Sequence, residues 1–257
     1  MAGKVVFIGA GPGDPELLTC KGKRLIDQAD IIIWAGSLVN EAVLAGRKPA
    51  ARVYNSAEMT LDQLIAVMEA GVAENALVAR VHTGDPAIYG AMQEQIARLA
   101  ERGIDYEIVP GVSSFLGAAA ALGRELTLPG VSQTVILTRQ AGRTPVPEGQ
   151  RIADLARHRA SMVLFLSSGL LEETVRDLLT GYPPDTPAAV VYKATWPDQK
   201  VVQGTLADLA EQVRAAGIEK TALIFVGDFL REEFEPSCLY SAGFTHEYRG
   251  AKGDNGE

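Results

Sequence analysis

Two apolar, largely β-branched runs, residues 4–8 and residues 77–81, each lead directly into a loop built from glycine, proline and aspartate. The first loop reads GAGPGDPELLT at 9–19, and the second reads TGDPAIYGA at 83–91. Runs of this kind are strands, so both loops lie where a strand ends and the chain turns back towards a helix. Glycine there allows close backbone approach, and proline stiffens the turn. Open α/β sheets bind ligands at the carboxyl ends of their strands. Two such loops on one sheet point to a small-molecule site rather than a packing surface.

The alternation continues along the chain. Further strands are expected at 31–34, 106–109, 134–137, 161–166, 188–192 and 221–226. Helices are expected at 61–70, with Thr60 and Gln63 as a capping box; at 91–102, stopped by Gly103; and at 206–216, opened by Thr205 and closed by Gly217. A small-residue helix follows Gly111. Alternating strands and helices predict an α/β architecture. The turn-rich stretch LTLPGVSQ marks a division, giving an N-terminal α/β domain over 1–125 with the loop motifs and a C-terminal α/β domain over 126–250. The polar, glycine-rich end at 251–257 is expected to fray.

With 257 residues, 47% hydrophobic, the chain can bury one large or two medium cores. Its formal net charge of -8 makes it a poor binder of nucleic acid or anionic membrane. No apolar run is long enough to span a bilayer, and no signal pattern opens the chain, so a cytoplasmic location is expected. Cys20 and Cys238 have no metal-binding or redox spacing, and His82, His158 and His246 are scattered, so no metal site is expected.

Gly9, Gly11 and Gly13 resemble the opening of a dinucleotide fingerprint, but its last glycine is replaced by Asp14 and Pro12 stiffens the loop. A carboxylate there repels a pyrophosphate, which argues against a nicotinamide-dependent oxidoreductase. Asp14 alternatively caps the following turn. In the second loop Gly84 permits close approach, Asp85 offers a carboxylate or an Asx turn, and Ile88 and Tyr89 add apolar surface. Tyr89 reads equally as core, and His82 as a satisfied structural histidine. In VPGVSSFLGAAAALG at 109–123, Ser113 and Ser114 open a helix at a strand end, where hydroxyls cap the helix or meet a ligand.

GAGPGDPELLT, TGDPAIYGA and VPGVSSFLGAAAALG, in this order and spacing, resemble the tetrapyrrole methylase family, class III S-adenosylmethionine-dependent methyltransferases. The resemblance covers the chain to about Arg249. It implies two α/β domains with the cofactor in the cleft between them, and a homodimer. It implies cofactor contacts at Pro12, at Thr83, Gly84 and Asp85, and at Ile88, Ser113 and Ser114. It adds Leu166, in LFLSS, where the family often has methionine, and Ala194, in VYKATWP, where it often has glycine.

Residues 133–147 (QTVILTRQAGRTPVP), residues 194–198 (ATWPD) and the stretch YSAGFTHEYR resemble the branch that methylates ring carbon C-11 of a precorrin in cobalamin synthesis. The acceptor, metal-free or cobalt-bearing, is a polycarboxylate, and Arg139 and Arg143 are the candidates to bind it, or else two solvated loop arginines. Asp14 is the candidate base for the proton lost on methylation, or else only a cap. Protein- or RNA-modifying relatives need a partner surface, and no basic aromatic patch is present. A non-catalytic binding module would hold the same cofactor without turnover.

Overall fold

A computed structural model describes residues 3–250 except 242 and 246. The tail at 251–257, expected to fray, and His246 lie outside the described residues. The described residues form two compact units, those within 1–122 together with 191–200, and those within 123–190 together with the described residues from 201 onward.

The first unit runs β1 (Lys4–Gly9), α1 (Cys20–Gln28), β2 (Ile31–Trp34), β3 (Arg52–Asn55), α2 (Leu61–Ala73), β4 (Leu77–His82), α3 (Met92–Ala100), β5 (Tyr106–Val109) and α4 (Ser114–Leu122). Its sheet has the order β3-β2-β4-β1-β5, and β1 lies parallel to both β4 and β5. From β1 the chain crosses to β2 in one direction, and from β4 it crosses to β5 in the other. Crossovers of one hand must then place α1 and α3 on opposite faces. The cores show this: Leu25 and Ile26 of α1 pack with Val6, Ile8 and Ile32. Leu64, Ile65 and Met68 of α2 and Ile96 and Leu99 of α3 pack with Val5, Phe7, Ile31 and Ile33. The adjacent strands β1 and β4 thus flank a topological switch point, where open sheets bind ligands.

The second unit comprises β6 (Val135–Arg139), α5 (Ile152–Leu155), β7 (Ser161–Phe165), α6 (Leu171–Leu178), β8 (Pro187–Tyr192), β9 (Lys200–Thr205), α7 (Leu209–Ala215) and β10 (Ala222–Val226). Its sheet has the order β6-β7-β10-β8-β9. β7 pairs parallel with β6 and antiparallel with β10.

The Thr60–Gln63 capping box is present, and α2 continues three residues beyond the expected end. β3 and β9 were not expected. Both are edge strands that keep much of their surface in solvent, including Val53 and Val201, so neither carries the apolar signal of a buried strand. The helix expected from 206 starts at Leu209. Asp208 accepts from the Thr205 backbone N–H and hydroxyl, and this closes a turn ahead of the helix.

Candidate active site

At the carboxyl end of the first sheet, three loops meet backbone to backbone. A Cβ on Gly9 would lie 2.6 Å from Gly111 N and 2.6 Å from Gly84 O. A Cβ on Gly111 would lie 2.7 Å from Gly9 Cα and would overlap Gly84 O. Gly11 and Gly84 form a two-bond antiparallel bridge, Gly84 N–H donating to Gly11 O over 2.8 Å and Gly11 N–H to Gly84 O over 3.2 Å. Gly84 is left-handed at φ 58°, a conformation natural to glycine. Asp85 ties the third loop in: one carboxylate oxygen accepts from Ala87 N–H at 2.8 Å, an Asx turn, and the other from Gly111 N–H at 2.9 Å.

Pro12 is buried, and Gly117 of α4 lets it come close, since a Cβ there would be 2.8 Å from Pro12 Cβ. The helix that opens with Ser113 and Ser114 is thereby set against the first loop. Ser113 is buried, and its carbonyl accepts from the N–H groups of Leu116 and Gly117. The Thr83 hydroxyl donates to Leu38 O. Ile88 is half-buried. Asp14 caps the 3-10 turn Pro15–Leu17 by accepting from Glu16 N–H, and Thr19 caps α1. Tyr89 is not core: it is exposed and left-handed at φ 53°.

Residues 191–200, the end of β8, the turn after it and the first residue of β9, pack with the first unit. Within them Ala194 is buried. Trp196 and Thr195 reach the first loop, the indole N–H donating to Pro12 O at 3.0 Å and the Thr195 hydroxyl accepting from Asp14 N–H at 3.0 Å.

Beneath the second loop, β4 buries two basic side chains. Arg80 donates to Gln95 Oε1 and to the carbonyls of Ile33 and Val81, and burial pushes its guanidinium down to about 10. His82 is buried with its ring 5.9 Å from that of Phe7; it hydrogen-bonds the Gly90 backbone, but its Nε2 has no partner among the described residues, so the satisfied histidine expected is met at one ring nitrogen only. Burial first, and the Arg80 charge second, push its imidazole down to about 3. The folded value is below the unfolded one of about 6.5. As pH falls, the unfolded chain therefore takes up the proton first. Stability present above about pH 6.5 is lost on acidification, by about 2 kcal/mol at pH 5. Urea midpoints at pH 7 and pH 5 should thus fall further for the wild type than for His82→Leu. Equal falls would mean that folded His82 accepts the proton.

In the second unit, Arg139 curls onto its own loop, donating to the carbonyls of Gln140, Thr144 and Pro145. Arg143 is exposed and has no hydrogen bond or ion pair among the described residues. Gln140 anchors the base of the loop: its N–H donates to Ser167 Oγ and its amide to Asp177. Leu166, just after β7, is left-handed at φ 53° and 69% exposed, an apolar side chain presented to its surroundings.

Sequence reasoning missed Gly111 as a third close-approach glycine, and it missed Thr195 and Trp196. A tryptophan beside a threonine in a Pro-Asp turn was the available signal for the latter pair. Among the described residues no group of three or more His, Cys, Asp or Glu side chains is placed to hold a metal ion. No helix among them is long and apolar enough to cross a membrane.

A family model described as Tetrapyrrole (Corrin/Porphyrin) Methylases matches residues 4–210. The chain is 54% identical to a cobalt-precorrin-4 C(11)-methyltransferase of Methanocaldococcus jannaschii, over 96% of each chain. It is 52% identical to a precorrin-4 C(11)-methyltransferase of Pseudomonas aeruginosa, over 95% of this chain and 98% of the relative. Among solved structures it is similar to a cobalt precorrin-4 methyltransferase, with a TM-score of 0.87 and 49% identity over 89% of this chain and 96% of the other. A uroporphyrin-III C-methyl transferase from Thermus thermophilus, complexed with S-adenosyl homocysteine, has a TM-score of 0.74 and 28% identity, over 89% and 99%.

Proposed function

Because this chain belongs to the tetrapyrrole methylase family, we propose that it transfers a methyl group from S-adenosylmethionine to ring carbon C-11 of precorrin-4. The product is precorrin-5, in the synthesis of the corrin ring of cobalamin. The observation that carries the reading is the meeting of three loops at the switch point of the first sheet, held by Gly9, Gly84, Gly111 and Asp85. The acceptor is precorrin-4 with or without cobalt, since relatives named for each form are 54% and 52% identical to the chain.

The residues present suit such a donor: backbone polar groups at Gly84 and Asp85 lie beside the apolar Pro12 and Ile88. When bound, S-adenosylmethionine supplies a methyl already activated on sulfonium, so the sulfur–methyl bond breaks as the carbon–methyl bond forms and sulfur leaves uncharged. The chain then has to hold donor and acceptor in line and keep water out. Pro12, Thr83, Gly84, Asp85 and Ile88 are the proposed donor contacts on the first two loops, with Ser113 and Ser114 on the third. Leu166 and Ala194 complete the proposed set. Arg143, whose guanidinium has no partner among the described residues, binds the acceptor carboxylates, and Arg139 shapes the loop that carries it. Asp14 is the proposed acceptor of the macrocycle proton. The working form is a homodimer, read directly by sedimentation velocity.

Turnover of precorrin-4 or its cobalt form, followed as a one-methyl mass gain with formation of S-adenosylhomocysteine, tests the reading. Arg143→Ala should raise acceptor KM about tenfold, the loss of one charge-assisted carboxylate contact, with S-adenosylhomocysteine affinity unchanged. Asp14→Asn, which keeps an acceptor oxygen for the Glu16 N–H, should lower kcat without changing that affinity. No turnover of either acceptor by a folded chain that binds S-adenosylhomocysteine would leave a binding module in its place.

A further inference from the structure

The segment 191–200 is held to the first loop by more contacts than a simple connection requires. The Trp196 indole N–H donates to Pro12 O at 3.0 Å. The ring also lies against Gly13 so closely that a Cβ there would overlap the indole, 2.9 Å from its Cγ and nearer still to Cδ1 and Nε1. Thr195 accepts from Asp14 N–H at 3.0 Å through its hydroxyl, while its own N–H donates to Gln199 Oε1 at 2.7 Å. Gly117 of α4 closes the junction, since a Cβ there would meet Pro12 at 2.8 Å and the Thr195 methyl at 3.2 Å. Behind the indole, the Lys193 ammonium sits 5.2 Å from the Trp196 ring and is paired with Asp198 at 2.6 Å.

The backbone is strained at the same place. Lys193 at φ 45° and Thr195 at φ 68° are both left-handed without being glycine, and a β-branched residue in that region is a true outlier. Each such residue costs of order 1 kcal/mol or more and persists only where its surroundings over-determine it. Between them lies Ala194, buried. The strain and the hydrogen bonds converge on one result: a fixed Ala194 and a fixed Pro12.

We infer that Thr195 and Trp196 are positioning residues for the methyl-donor site, locking the first loop to the 193–199 segment and setting the spacing of Pro12 and Ala194. The inference rests on the methyl-donor reading above, in which both residues contact the donor. In that reading Thr195 and Trp196 act on the donor only through their neighbours. Their effect passes through the two residues they hold and through α4, which begins at Ser114 directly after Ser113.

Calorimetric titration with S-adenosylhomocysteine tests this on the whole chain. Trp196→Phe keeps an aromatic side chain but removes the N–H donor together with the five-membered ring that lies against Gly13, and Thr195→Val removes the acceptor. Each should weaken affinity about fivefold to tenfold, the effect of one hydrogen bond. Thr195→Ser restores the acceptor and should restore affinity. The chain has two tryptophans, so in a Trp34→Phe background Trp196 reports alone. Its emission should shift on titration with the calorimetric midpoint, a response that a tryptophan serving only the fold would not give. A folded wild type that fails to bind removes the methyl-donor reading and this inference with it. Wild-type binding with unchanged affinity in both variants, or no rescue by Thr195→Ser, removes the inference alone.

Discussion

Gly111→Ala should destabilise the first unit by about 3 kcal/mol, at the upper end for a single added methyl in a packed interior. The new Cβ would lie 2.7 Å from Gly9 Cα and 2.8 Å from Gly9 C, and it would overlap the Gly84 carbonyl oxygen. All of these are backbone atoms in loops tied to strand ends, so no side chain can rotate away. The contact is reciprocal, since a Cβ on Gly9 would meet Gly111 Cα and N at 2.6 Å. Relief therefore requires separating the loop after β5 from the loops after β1 and β4, which also breaks the Asp85 bond to Gly111 N–H. A fall in melting temperature of roughly 9–15 °C is expected from the size of such a unit. S-adenosylhomocysteine binding should fall with it. Gly169→Ala is the comparison: its Cβ would lie 3.5 Å from Glu219 O, ordinary contact, and should leave the melting temperature within about 1 °C of the wild type. A Gly111→Ala protein that melts like the wild type would show that the three loops do not bear on one another.

The same three loops show how far the sequence was legible. β1 and β4 are buried on both faces, so their apolar runs were plain, and the glycine and proline after each were local signals of a strand end. The capping box at Thr60 and Gln63 is likewise complete within four residues. Two loops of the site and the α/β class were therefore readable. Non-local facts were not. Gly111 matters because of Gly9 and Gly84, and no local pattern announces a contact between three strand ends. Trp196 is bonded to Pro12 across 184 residues of sequence, and the segment carrying it packs with the first unit although it lies far beyond the expected division near residue 125. His82 looked like a residue that would find partners. Its burial beside Arg80, bonded to the Gly90 backbone but with Nε2 unpaired among the described residues, is a tertiary outcome. The edge strands β3 and β9 failed for the opposite reason: their solvent-facing residues carry no burial pattern to read.

Asp85→Ala is expected to weaken S-adenosylhomocysteine binding about thirtyfold and to cost about 2 kcal/mol of stability, the scale of losing two charge-assisted acceptor bonds at a partly exposed site. Each carboxylate oxygen is engaged by a backbone N–H, that of Ala87 within the second loop and that of Gly111 in the third. Asparagine is not a conservative replacement there. It supplies one acceptor, but its amide turns a donor towards the remaining N–H, so Asp85→Asn should behave nearly as badly as Asp85→Ala. Asp62→Asn is the contrasting case: its partner Arg98 lies on the surface, with the Asp62 side chain 78% exposed, and the change should fall within about 0.5 kcal/mol. Two roles for Asp85 separate in one set of melts. Loss of the brace lowers the melting temperature without ligand. Loss of a direct ligand contact instead reduces only the rise on adding S-adenosylhomocysteine, since that rise follows the ratio of ligand to Kd. Because both oxygens already serve backbone N–H groups, the drop without ligand should appear first, and the affinity loss should follow from the displaced Gly84 and Gly111 backbone. An Asp85→Ala protein with unchanged ligand-free melting but abolished ligand shift would make the Asp85 carboxylate itself, and not only the backbone beside it, a direct contact of the methyl donor and would set the brace aside.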